Sequence, residues 1–175
     1  MDVQSTACFT GHRPYNLGIN PQNDKKTFGK LLSRIEAEIT DLALYGGITD
    51  FISGMALGVD TYAASCVLKM RDEFGLGIRL VCALPCRDQY LRWSRSEQNE
   101  YRAILDKADK VICLEERYTD GCMIRRNEFM VNNSSVVIAV WNGLPGGTSS
   151  TVRYAKRKEK EIILIDPSKL KEEKE

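Results

Sequence analysis

The 175-residue chain predicts an open, doubly wound α/β domain, a mostly parallel sheet of about six strands with helices on both faces. Two observations predict it. Short apolar runs alternate along the whole chain with longer amphipathic ones. The short runs are also nearly continuous in apolar residues, the pattern of strands covered on both sides. The length suits one domain, drawn at residues 1–167, with residues 168–175 as a charged tail expected to fray.

Taken in order, "STACFTG" reads as the first strand. "NDKKTFGKLLSRIEAEITDLALYG" follows as a helix, because Phe28, Leu31, Leu32, Ile35, Ile39, Leu42 and Ala43 recur at helical spacing, and Gly46-Gly47 ends it. "ITDFIS" is the second strand, "GVDTYAASCVLKMRDEFG" the second helix and "IRLVCALP" the third strand. "SEQNEYRAILDKA" is helical and "DKVICLE" extended, then "CMIRRNEFMVNNS" is helical and "SSVVIAVW" extended. "SSTVRYAKRKEK" is the last helix and "EIILIDP" the last strand. In such a sheet ligands bind beyond the carboxyl ends of the strands, where the connecting loops gather.

Composition narrows the partners. With 43% hydrophobic and 28% charged residues and a net charge of +1, the chain lacks the charge excess that marks a nucleic-acid or membrane-surface protein. No apolar run approaches the roughly 20 residues of a membrane span, and the amino terminus has no signal-peptide pattern, so a cytoplasmic location is expected. The six cysteines are scattered, as small buried hydrophobes in a reducing compartment would be. Cys82 and Cys86 flank Pro85 far from the one histidine, His12, so no metal and no other cofactor is expected.

Four loops carry the candidate site. After strand one, "TGHRP" offers Gly11 for a sharp turn, His12 for a ribose or phosphate, and Arg13, whose planar donors suit an anion or a surface carboxylate equally. After strand two, "SGMALGVDTYAA" offers Ser53 as a cap, Gly54 and Gly58 for close approach, and Asp60 for a ribose hydroxyl or a cap. Its glycines are spaced G-x-x-x-G with no acidic residue about twenty positions on, so it is not the dinucleotide fingerprint. Met55, Ala56 and Leu57 read as core.

The third region spans residues 84–98 and 117–129. Gln89 and Trp93 can read and stack on a base, or Trp93 can simply cover the sheet, while Arg126 and Asn127 open a helix below the same edge. The fourth, "PGGTSS", places Gly146, Gly147, Thr148 and Ser149 between a strand and a helix, where unpaired amides cradle phosphate. It lacks the lysine-hydroxyl ending of a Walker loop.

"GHRP", "SGMALGVDTYAA" and "RRNEFMVNNSSVVIAVWNGLPGGTSS" together resemble the SLOG superfamily of Rossmann-like proteins, which includes DNA-processing protein A and the Lonely Guy phosphoribohydrolases. The bacterial YpsA-like family is the branch most similar, over about residues 6–166. The resemblance implies a nucleotide or nucleotide-derived ligand, such as ATP, ADP-ribose or NAD, held across Gly11, Arg13, Ser53, Gly54, Gly58, Arg126, Gly146, Gly147 and Thr148. It also implies a sensing role, and pairing into a homodimer as in many relatives. The phosphoribohydrolase loop P-G-G-x-G-T-x-x-E is incomplete here: Arg153 stands at the catalytic glutamate position, and an arginine cannot serve as that acid or base.

No catalytic residue is therefore assigned. The alternatives are a nucleotide-cleaving enzyme using Asp60, Glu116, Asp120 or Glu128, and single-stranded DNA binding through Arg117, Arg125, Arg126, Arg153, Lys156 and Arg157. The near-neutral charge argues against the second.

Overall fold

The computed structural model describes residues 1–171. Six strands, β1 (Thr6–Gly11), β2 (Asp50–Ser53), β3 (Arg79–Leu84), β4 (Lys110–Cys113), β5 (Val136–Val140) and β6 (Glu161–Ile165), form one sheet in the order β4-β3-β2-β1-β5-β6. Every pairing is parallel. The helices are α1 (Pro14–Leu17), α2 (Lys25–Leu44), α3 (Val59–Asp72), α4 (Arg95–Lys107), α5 (Cys122–Asn132) and α6 (Gly147–Arg157). The short α1 was not anticipated, although proline at a first helical position is a start signal. Lys169–Lys171 make a short 3-10 turn; the rest of the expected tail lies outside the described residues.

Local chemistry sets the helix starts. Asp24 caps α2 by accepting from the Thr27 amide at 3.1 Å, and Ser94 and Glu97 form a reciprocal capping box on α4. Because side chains alternate along a strand, β1 sends Ala7 and Phe9 into one core and Cys8 into another. The larger core joins the sheet to α2, α3 and α4, with Phe9 and Phe51 stacked at 6.0 Å. The smaller one joins it to Met130 and Val131 of α5 and Ala155 of α6. Each fully buried large side chain contributes about 1.5–3 kcal/mol.

The strand order positions the site. From β1 the chain winds outward through β2, β3 and β4, then returns to the opposite side of β1 for β5 and β6. The winding reverses between β1 and β5, and their loops must part there, leaving a crevice beyond their carboxyl ends.

Candidate functional site

A cavity of about 230 Å³ occupies that crevice. The loop after β1 supplies Gly11, His12 and Arg13, the turn before α3 leads to Asp60, and α5 contributes Arg126 and Asn127. Gly146, Gly147 and Thr148 close it from the loop after β5. Segments more than a hundred residues apart in sequence thus meet at one rim. Pro145 of the same glycine loop completes the lining together with Thr10, Tyr15, Asn16, Ala56 and Met123, which were not anticipated. Pro14 was the available signal for Tyr15 and Asn16, since a helix started there turns both back toward the strand end.

The remaining predicted residues sit around this cavity. Ser53 lies beneath it and caps no helix: its hydroxyl donates to the Asp60 carbonyl at 2.7 Å and accepts from the Met55 amide at 3.1 Å. Met55 is fully buried with φ 55°, so the loop is held in a conformation costly for a side chain of that size. Gly58 has φ +98°, and a Cβ there would lie 2.6 Å from the His12 carbonyl, so only glycine lets α3 start against the β1 loop. Ser149 closes the α6 loop on itself, donating to the Gly146 carbonyl at 2.9 Å.

Gln89 and Trp93 do not line the cavity. The Gln89 amide donates to the Tyr101 hydroxyl at 3.1 Å, and Trp93 packs edge-on against the Tyr101 ring at 5.3 Å. Arg125 turns away as well, bonded to Glu115 at 2.7 Å.

Charge in the cavity is unbalanced. Arg126 is only 3% exposed; its Nη1 donates to the Gly54 carbonyl and stands 3.7 Å from Asp60 Oδ2, and its Nε donates to Asn127 Oδ1 at 2.8 Å. Burial pushes the Asp60 carboxyl above the usual carboxylate range, while the Arg126 charge pulls it back down. Burial likewise lowers the Arg126 guanidinium, with Asp60 opposing and the like charge of Arg13 adding to the effect. Arginine nevertheless stays protonated. The Arg13 guanidinium makes no hydrogen bond or contact ion pair with any described residue. Two guanidinium groups therefore share one carboxylate.

Spare donors face the same space. The first-turn amides of α6 have no acceptor within the helix. The hydroxyls of Thr10 and Thr148, 5% and 7% exposed, bond to no described residue. His12 Nε2 donates to Asn142 Oδ1 at 2.6 Å, tying the β1 loop to the β5 loop across the crevice. The arrangement can hold a multivalent oxyanion by charge and by directed N–H and O–H groups.

Among the described residues no group of three or more His, Cys, Asp or Glu side chains is placed to hold a metal ion. Among the same residues no helix is long and apolar enough to cross a membrane.

Comparison with known proteins places the chain. The SPbeta prophage-derived protein YoqJ of Bacillus subtilis (strain 168) is 32% identical over 140 residues, which are 73% of this chain and 79% of that protein. The UPF0398 protein BH1768 of Halalkalibacterium halodurans is 28% identical over 169 residues, 92% of this chain and 87% of its own. Among solved structures, DNA processing protein A from Helicobacter pylori, described for its single-stranded DNA binding mode, matches with a TM-score of 0.64 at 20% identity, over 94% of this chain and 66% of that one. At that identity the likeness is one of fold, and the chain spans just under two thirds of that protein. The model of the YspA SLOG family (YpsA) matches residues 7–170, and the chain belongs to that family.

Proposed function

We propose that the protein binds a nucleotide or nucleotide-derived ligand, phosphate first, in the crevice between the β1 and β5 loops, and acts as a sensing module. The observation that carries this reading is the excess positive charge of Arg13 and Arg126 over Asp60 in a cavity rimmed by unpaired α6 amides. In this reading Asp60 is the internal counter-charge of Arg126 rather than a ligand contact, and Gly146, Gly147 and Thr148 cradle the phosphate. Gly11 and Gly54 serve by what they leave out: a Cβ at Gly11 would lie 2.5 Å from Val59 Cβ, and one at Gly54 would lie 2.7 Å from Asp60 Oδ2.

Cleavage by Asp60 or Glu116 is disfavoured, because Asp60 is engaged by Arg126 and by the Ala56 amide at 3.3 Å, and Glu116 pairs with Arg87 at 2.7 Å. Small-molecule binding is favoured over DNA because Arg126 is buried and Arg125 is tied to Glu115, which breaks up the basic track a strand would follow. All six cysteines are free thiols, which supports a reducing, cytoplasmic setting.

Thermal unfolding with a panel of ATP, ADP-ribose, NAD and AMP tests the reading. At least one should raise the midpoint by several degrees at saturation, as mass action requires. Gly147→Asp should abolish the shift with the apo midpoint nearly unchanged, since a Cβ there meets nothing within 4 Å and the carboxylate would project into the phosphate position. A panel without effect, or a variant still protected, contradicts it.

A further inference from the structure

A second hollow, of about 450 Å³, lies between α5 and α6 and shares Asn127 and Gly147 with the cavity as a common wall. Asn127 bridges the two helices there, donating to Thr151 Oγ1 at 3.0 Å. The first cavity, at about 230 Å³, is smaller than the roughly 300–1,000 Å³ of ordinary small-molecule sites. It suits a phosphate and part of a sugar, and a base must leave it.

Two ways out exist. One passes Tyr15, 82% exposed, onto the shallow surface of Pro14, Gly18 and Asn20. The other passes the Asn127–Gly147 wall into the groove. The groove has the chemistry a nucleoside needs. Its walls include the half-buried Tyr154 ring and Ile124, an aliphatic side chain left 62% exposed. The Glu128 carboxylate makes no hydrogen bond or ion pair with any described residue, although Arg153 and Arg157 line the same groove. A free carboxylate accepts from ribose hydroxyls, and arginine donors match the carbonyl and ring-nitrogen acceptors of a base. Gln89 and Trp93, the base readers expected from sequence, are instead packed against Tyr101.

We propose that the α5–α6 groove is the base subsite of a nucleoside 5′-phosphate whose phosphate occupies the neighbouring cavity, with Glu128 toward the sugar and Tyr154 and Ile124 flanking the base. This rests on the phosphate reading above, and the test separates the two. Calorimetric titration at fixed salt compares ribose 5-phosphate with AMP, GMP, CMP and UMP. Ribose 5-phosphate should bind measurably, and at least one nucleotide should bind tenfold or more tighter. Ile124→Asp and Tyr154→Ala should each bring that nucleotide to within about threefold of ribose 5-phosphate and leave ribose 5-phosphate itself unchanged. Ile124 is exposed, so its variant remains informative even if Tyr154→Ala, which loses a hydroxyl bond to Asn132, fails to fold. Equal affinity for sugar phosphate and nucleotides, or a nucleotide preference that survives Ile124→Asp and disappears in Tyr15→Ala, overturns the base subsite and leaves the phosphate cradle standing. Binding of none of these probes overturns both.

Discussion

Replacing Asp60 by asparagine should move stability and anion affinity in opposite directions. The two side chains of the Asp60–Arg126 pair are 8% and 4% exposed. Removing one partner of a buried pair costs about 3–5 kcal/mol. Less than that applies here, about 1 kcal/mol, because Arg126 keeps the Gly54 carbonyl and Asn127 Oδ1 as acceptors, the new amide can still accept from the Ala56 amide, and a neutral side chain escapes the burial penalty that raises the Asp60 carboxyl. For a domain of this size a loss of about 1 kcal/mol lowers the midpoint by roughly 2–4 °C. Affinity goes the other way. Asp60 Oδ2 lies 3.7 Å from Arg126 Nη1, so a phosphate bonded to that guanidinium stands about 6 Å from the carboxylate, counting a charge-assisted hydrogen bond of about 2.8 Å. Two unit charges at about 6 Å repel by roughly 2.8 kcal/mol at an effective dielectric of about 20. Removing the repulsion should tighten a nucleotide monophosphate by 10- to 100-fold.

The assay is calorimetric titration beside thermal unfolding with and without ligand. The variant should melt lower when empty and gain more on binding. Protonating Asp60 removes the same repulsion in the wild type. The affinity gap should therefore narrow as pH falls through its titration, which burial sets above the ordinary carboxylate range. Weaker binding by Asp60→Asn would refute this electrostatic account and make Asp60 a ligand contact.

Two further outcomes follow from crowding and from burial. Gly54→Ala would set a methyl 2.5 Å from Arg126 Cζ and displace the guanidinium. Anion affinity should fall at least tenfold, the worth of a charge-assisted hydrogen bond of about 1.5–3 kcal/mol, while far-ultraviolet circular dichroism stays unchanged; unaltered affinity would show that Arg126 is not used. Burial pushes the Cys8 thiol up to about 12 from an ordinary 9.0. Its folded value is raised, so stability is whole below pH 9 and is lost toward pH 12, by up to about 1.4 kcal/mol per unit. Urea unfolding from pH 9 to 10.5 should therefore show Cys8→Ala losing about 2 kcal/mol less than wild type; parallel losses would contradict the burial argument.

The sheet was legible because strands covered on both faces read as continuous apolar runs, and the boundaries of all six fall within two residues of those expected. The glycine loops were legible because strand-to-loop-to-helix punctuation is local. What escaped was long-range. Nothing local tells that Asp60 and Arg126, in different helices, will be buried together, or that Asn142 will bond His12 across the crevice. Gln89 and Trp93 show the same limit from the other side. Polar and aromatic residues in a loop after a strand read as ligand contacts, yet Tyr101, in the second turn of α4, supplied a packing partner that spacing alone did not reveal.

The most direct measurement is a crystal structure with adenosine 5′-phosphorothioate, whose sulfur marks the phosphate by anomalous scattering. The phosphate should lie within hydrogen-bond distance of the Arg13 and Arg126 guanidinium groups and the α6 first-turn amides. An anomalous peak on another face of the sheet, with this crevice holding only water, would contradict the account.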